Sequence, residues 1–141
     1  MTAEQRYLLD SSAVLAWLFQ EPAGALVEPV LERSCMTIVG LAEVLRRAEI
    51  RGYLRGSDEL AADLGALVDF VDIVAEVDGE RCEELVRASY TRREERKTPA
   101  LSLADGICVA VAERLELPVM TSDRAWKDIE DLFRTEVALI R

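Results

Sequence analysis

The sequence predicts an α/β domain in which a mostly parallel sheet of about five strands is covered by helices on both faces. Short β-prone runs alternate with helix-periodic segments along the chain, an order typical of parallel sheets. Half of the 141 residues are hydrophobic and only 7 are Gly and 4 Pro, which is enough apolar material for a compact core. We therefore expect a single domain over residues 1–141.

In the first half of the chain, each predicted strand is followed by helical patterns. Residues 6–10 form a short buried run that ends in an acid, and Ser11 and Ser12 offer an N-cap for an apolar helix over 13–19. A second β-prone run covers 35–39, and Gly40 is expected to end it. The remaining helices of this half are predicted over 23–33, after Gly40 with apolar positions 41, 44, 45 and 48, and from Ser57 onwards.

The second half repeats the alternation. A third strand is predicted at 71–77 and a charged helix at 81–96, and Thr98-Pro99 marks the boundary after it. Apolar residues at 103, 107, 111 and 115 then form the stripe of another helix. Strands at 117–121 and 135–140 complete the predicted sheet.

Composition restricts the chemistry that this chain can perform. It contains no histidine, which excludes histidine-dependent triads, paired-imidazole ribonuclease chemistry and the commonest zinc sites. The three cysteines are scattered without a CxxC pair, which favours buried, reduced thiols. No apolar run approaches the ~20 residues that span a bilayer, and residues 1–6 lack a signal-peptide pattern. We expect a cytoplasmic protein whose chemistry, if it is an enzyme, is carried by carboxylates.

Four acids are predicted to lie at one edge of the sheet. Asp10 ends the first strand, Glu43 lies in the first turn after the second, and Asp123 follows the fourth. The carboxyl ends of parallel strands share the edge at which α/β proteins bind ligands. Asp105 joins this group only if its helix begins at the same edge.

Each acid taken alone also has a structural explanation. Asp10 could be an N-cap, Glu43 and Asp123 could complement a helix dipole, and Ser102-x-x-Asp105 matches a capping box. Taken together, clustered carboxylates repel one another and raise each other's pKa unless a cation lies among them. Mg²⁺ or Mn²⁺ suits such oxygen ligands, and a metal there can activate water and offset the charge of a phosphoryl group.

Several motifs in their order along the chain resemble the PIN-domain family, and within it the VapC-type toxins of bacterial toxin–antitoxin systems. They are residues 8–14 (LLDSSAV), 41–44 (LAEV), 101–105 (LSLAD) and 118–126 (PVMTSDRAW). The resemblance covers essentially the whole chain. It implies a PIN-like three-layer α/β/α sandwich and an Mg²⁺- or Mn²⁺-dependent endoribonuclease. It also implies an RNA substrate, a cognate VapB-like antitoxin and a homodimer.

The resemblance assigns roles residue by residue. Asp10 and Asp105 match the acids most firmly tied to the metal, and Glu43 and Asp123 would complete the catalytic pocket directly or through water. Ser12 and Thr121 match small polar positions that could place a water or a carboxylate, although a capping or turn role is equally open. One departure is Gly106, which follows the third acid where many relatives carry a basic or larger residue.

The net charge of −10 is unfavourable for binding RNA. Two segments are nevertheless locally basic. Residues 43–55 carry four Arg and two Glu, and residues 81–97 carry six basic and four acidic side chains. These cations could flank the acids, or they could simply form solvated helix faces.

The same residues argue against two other enzyme classes. A haloacid-dehalogenase-type phosphatase needs D-x-D, but residue 12 is Ser, and a receiver domain needs an acid adjacent to Asp10 and a Lys at the last strand, both of which are missing. Two alternatives stay open. One is a catalytically silent PIN-fold interaction module, and the other is a PIN nuclease outside a toxin–antitoxin pair.

Overall fold

The computed structural model describes residues 4–141, which form a five-stranded parallel sheet with the strand order β3-β2-β1-β4-β5. The strands are short, and their bounds are β1 Leu8–Leu9, β2 Cys35–Thr37, β3 Asp69–Val71, β4 Val119–Thr121 and β5 Val137–Leu139. The predicted fold class is confirmed. All five strand carboxyl ends lie at the same edge because every adjacent pair is parallel.

Helices cover both faces of the sheet. Their bounds are α1 Ser11–Leu18, α2 Ile38–Ile50, α3 Ser57–Leu67, α4 Ala75–Arg96, α5 Leu103–Arg114 and α6 Arg124–Asp128, with 3-10 segments at Pro22–Leu26, Glu28–Arg33 and Glu130–Leu132. Leu9 packs into a core with α1, α2 and α3, whereas Leu8 packs into a second core with α4, α5 and α6. Successive strand residues point to opposite faces, so this division gives three layers. Within residues 4–141, no helix is both long and apolar enough to cross a membrane.

Several predicted boundaries are wrong near the second strand. β2 ends at Thr37, and Gly40 lies inside α2 because the Thr37 hydroxyl accepts a hydrogen bond from the Gly40 N–H at 3.1 Å and begins the helix earlier. The helix predicted over 23–33 is two 3-10 segments instead. A proline occupies the first turn of each, and Pro29 cannot donate the backbone hydrogen bond that a continuous α-helix needs there.

The predicted third strand is also misplaced, because β3 ends at Val71 and α4 already begins at Ala75. The cause is tertiary. Asp78 is fully buried, accepts a hydrogen bond from the Val74 N–H at 2.7 Å, and pairs with Arg114 of α5. This carboxylate accepts the hydrogen bond of a backbone N–H at the start of α4. The helix therefore begins there despite the β-propensity of the preceding Val and Ile residues. All three cysteines are buried and free, as predicted.

Helices α4 and α5 pack side by side in opposite directions. At one end the Cys82 thiol lies 3.4 Å from the Leu103 carbonyl oxygen, and at the other the Arg114 guanidinium donates to Asp78 at 3.0 Å. Between them the helices approach closely at Gly106, where an added Cβ would lie 2.8 Å from the Cys82 Sγ. A larger residue at 106 would push the two helices apart, which explains the departure from the family pattern in this chain.

Candidate active site

Asp10 lies at the carboxyl end of β1, the central strand, and occupies the N-cap position of α1. Ser11 is the first residue of that helix, so the expected cap at Ser11 or Ser12 is wrong. Asp10 is buried, with only 6% of the residue exposed. Its Oδ2 accepts hydrogen bonds from the Ser12 hydroxyl at 2.7 Å and from the Thr121 hydroxyl at 2.9 Å.

The two hydroxyls connect Asp10 to the turn after β4. Ser12 Oγ accepts from the Ser122 N–H at 3.0 Å, and Thr121 Oγ1 accepts from the Asp123 N–H at 3.1 Å. Each hydroxyl has one hydrogen, which it can donate to Asp10, while its lone pairs accept from the backbone. The network holds one carboxylate oxygen, Oδ2, in a fixed position, whereas neither hydroxyl binds Oδ1.

Glu43 and Asp105 approach this edge from the two helical layers. Glu43 lies in the second turn of α2, one turn later than predicted, because that helix begins at Ile38. Asp105 lies in the first turn of α5, and its N–H donates to the Ser102 hydroxyl at 3.1 Å. Helix α5 begins at the carboxyl edge of the sheet, which was the condition for Asp105 to join the other acids.

The three acids share one electrostatic environment. The pKa of Asp105 is raised to about 6, chiefly by burial, then by the charge of Asp10 and to a smaller extent by that of Glu43. Hydrogen bonds with Ser102 act in the opposite direction and lower it. Burial and then the charge of Asp10 also raise the pKa of Glu43, opposed by Arg47. The pKa of Asp10 is raised by burial and held down in part by the Ser12 and Thr121 hydroxyls. Ionising any of the three is therefore unfavourable without a cation.

Asp123 stands apart from this group. Its side chain is exposed, and its Oδ1 accepts a hydrogen bond from the Ala125 N–H at 2.9 Å, which makes it the N-cap of α6. It connects to the site through its backbone, since its N–H donates to Thr121. We call Asp10, Glu43 and Asp105 the acid pocket.

The donors of the acid pocket fit a hard divalent cation in kind. Carboxylate oxygens are the ligands that Mg²⁺ and Mn²⁺ prefer. In the described part of the chain, 4–141, no three acid or cysteine side chains are spaced to hold a metal ion as they stand.

Cys108 lies one turn after Asp105, and the sequence does not indicate that it lies beside the acids. Burial and then the acid charges raise its pKa well above the usual range, so this thiol stays neutral beside them.

The PIN domain family profile matches residues 7–132, and the chain therefore belongs to the PIN domain family. No curated protein matches it in sequence.

Solved structures of the same fold include toxins and toxin–antitoxin complexes. VapC20 of Mycobacterium tuberculosis, a sarcin-ricin loop cleaving toxin, is 18% identical with a TM-score of 0.67, covering 87% of this chain and 94% of that one. VapBC-1 of nontypeable Haemophilus influenzae is 14% identical with a TM-score of 0.65, covering 96% and 98%. A toxin–antitoxin complex of Klebsiella pneumoniae is 21% identical with a TM-score of 0.60, covering 84% and 87%. At these identities the likeness concerns the fold alone, and the family match confirms the resemblance to PIN domains.

Proposed function

We propose that this protein is a metal-dependent endoribonuclease of the VapC type, the toxin of a type II toxin–antitoxin pair. The observation that carries the proposal is the acid pocket. Three carboxylates, at the end of β1 and in α2 and α5, meet at the ligand-binding edge of a parallel sheet; burial raises the pKa of each, and the charge of Asp10 raises those of Glu43 and Asp105 further. Such an arrangement opposes folding and is characteristic of functional sites that bind a cation.

Asp10 and Asp105 are the leading ligands, and Glu43 and Asp123 support them. Asp10 is held in place by the Ser12 and Thr121 hydroxyls, which both donate to its Oδ2. Asp123 would have to give up its bond to Ala125 or act through water. Mg²⁺ or Mn²⁺ bound there would supply activation of water and neutralisation of the phosphate charge. With no imidazole in the chain, the carboxylates are the groups available to accept the proton of the attacking water.

The relatives support the biological part of the proposal. They include complexes of toxins with antitoxins, some of them bound to DNA, as in VapBC of Salmonella typhimurium and FitAB bound to a DNA fragment. We propose by analogy that this chain is a single cytoplasmic domain that forms a homodimer and binds a VapB-like antitoxin. A small neighbouring gene for a DNA-binding protein would support this pairing.

Cleavage of RNA tests the proposal. Wild type, Asp10→Asn and Glu94→Gln are each incubated with total cellular RNA in Mg²⁺ or Mn²⁺, and wild type is also incubated with EDTA. Glu94→Gln serves as the matched control because Glu94 is exposed on α4. Internal cleavage by wild type and Glu94→Gln, absent in EDTA and in Asp10→Asn, is the expected result.

Intact RNA with every folded sample, in both metals, would contradict the nuclease and favour a silent interaction module. Cleavage without a neighbouring antitoxin gene would instead identify a PIN nuclease outside a toxin–antitoxin pair.

A further inference from the structure

A group of exposed cations lies on one side of the acid pocket, and we name it the basic rim. Its members are exposed and come from the end of α4, the turn after β4 and the last position of the chain, and they are Arg93, Arg96, Lys97, Arg124 and Arg141. Helix α4 supplies Arg93 and Arg96, and Lys97 is its C-cap. Ser89 Oγ accepts a hydrogen bond from the Leu101 N–H at 2.9 Å just before α5 begins, so the last seven residues of α4 continue past that level by about 10 Å.

The other two members adjoin the hydrogen-bond network of the acid pocket, Arg124 by sequence and Arg141 by contact. Arg124 directly follows Asp123, and Arg141 donates from Nε to the Ser122 carbonyl oxygen at 2.9 Å. The Ser122 N–H in turn donates to Ser12, which holds Asp10. The basic rim and the acid pocket are therefore continuous along the turn after β4.

The members of the basic rim form no close ion pairs with other described residues. Within residues 4–141, none of the five forms an ion pair within 4 Å. Among the residues that the structure describes, eight of the 17 cations are paired, for example Arg55 with Asp63 at 2.7 Å and Arg87 with Glu83 at 3.0 Å, whereas Arg33, Arg46, Arg47 and Arg134 are unpaired like the members of the basic rim. In a protein of net charge −10, unpaired cations on one side of an acidic site create a local positive field.

Resting on the proposed function, we propose that the basic rim binds the phosphate backbone of the RNA strand adjacent to the phosphodiester at the acid pocket. A guanidinium group can donate two parallel hydrogen bonds to two oxygens of one phosphate. Four of the five members are arginines. Tyr90, which is 51% exposed one turn before Arg93, offers an aromatic ring on which a base can stack. An acidic peptide could also use the cations, but it would make no use of their continuity with a phosphate-cleaving site.

The salt dependence of RNA binding tests this inference with two matched variants. Arg93→Gln/Arg96→Gln removes two members of the basic rim. Arg33→Gln/Arg134→Gln removes two exposed, unpaired arginines that precede β2 and β5 at the opposite edge of the sheet, so both variants lose the same charge. Binding of a labelled single-stranded RNA pool of about 20 nucleotides is measured by anisotropy in EDTA over a series of salt concentrations.

We expect the slope of log K against log salt to fall in magnitude by about 1.4 for Arg93→Gln/Arg96→Gln, which is about 25-fold weaker binding at 0.1 M salt. The opposite-edge variant should keep the wild-type slope. Equal slopes in all three proteins, or equal losses in both variants, would overturn the inference.

Cleavage by the wild type in Mn²⁺, measured alongside, separates this result from the proposed function. If the wild type cleaves RNA and the slopes do not differ, the nuclease stands and the basic rim is not its phosphate-binding surface. If the wild type neither binds nor cleaves RNA, the proposed function fails and the inference fails with it.

Discussion

Replacing Asp105 by asparagine should stabilise the metal-free protein while impairing its function. The side chain keeps its shape and its capacity to accept hydrogen bonds, but it loses the charge that burial, Asp10 and Glu43 oppose. Its pKa is raised from 3.8 to about 6 in the folded state. The folded protein therefore binds this proton more tightly than the unfolded chain, so ionisation lowers the free energy of unfolding.

The magnitude follows from that shift. A change from 3.8 to about 6 corresponds to at most roughly 3 kcal/mol. Asp105 is partly exposed, and solvent screening reduces the figure to about 1–2 kcal/mol. For a domain of this size that is an increase in Tm of roughly 3–6 °C. The penalty is absent below the unfolded pKa and complete above the folded one, so the advantage of Asp105→Asn should be full at pH 7.5 and shrink towards pH 4.5.

Thermal unfolding of wild type, Asp105→Asn and the exposed-acid control Glu94→Gln, each in EDTA at both pH values, checks the prediction. Added Mg²⁺ should stabilise the wild type and the control more than Asp105→Asn, since a ligand that binds only the folded state raises its stability. An Asp105→Asn protein that is no more stable than wild type at pH 7.5 would refute the electrostatic reasoning.

Three further substitutions probe the surrounding structure. Thr121→Val removes a buried hydroxyl that bonds Asp10 and the Asp123 N–H, and should cost about 1–3 kcal/mol in chemical denaturation and slow RNA cleavage, whereas Thr121→Ser should retain most of both. Gly106→Ala should cost about 1–3 kcal/mol by overpacking against Cys82, and a double-mutant cycle with Cys82→Ala should show positive coupling; additive effects would contradict the contact. Asp78→Asn breaks the ion pair with Arg114 and should lower the free energy of unfolding by about 3 kcal/mol. Glu83→Gln, on the surface of α4, should lower it by less than about 0.5 kcal/mol, and urea unfolding measures both.

Much of the fold could be predicted because local patterns and tertiary structure agree. Ser102 caps α5 as its sequence indicates, and the helix from Ser57 begins where predicted. The wrong boundaries occur where contacts between residues distant in sequence determine where a helix begins. The start of α4 depends on Asp78, whose partner Arg114 is 36 residues away, and no local pattern reveals that pair.

The candidate site was predictable only in part. The edge rule for parallel sheets groups Asp10, Glu43 and Asp123 directly and Asp105 only if its helix begins at that edge, whereas the pKa shifts link Asp10, Glu43 and Asp105. The edge rule does not distinguish Asp123, because an acid after a strand can cap the next helix as readily as face the pocket. The place of Cys108 beside the acids depends on how α5 packs on the sheet, which the spacing of residues alone does not specify.

Measuring Mn²⁺ binding and Mn²⁺-dependent RNA cleavage on the same preparations of wild type, Asp10→Asn and Glu94→Gln tests the metal-dependent nuclease most directly. We expect wild type and Glu94→Gln to bind the ion and cleave RNA with the same midpoint in free Mn²⁺, and Asp10→Asn to lose both together. Cleavage that persists in metal-free protein, or Mn²⁺ binding that Asp10→Asn leaves unchanged, would contradict this proposal.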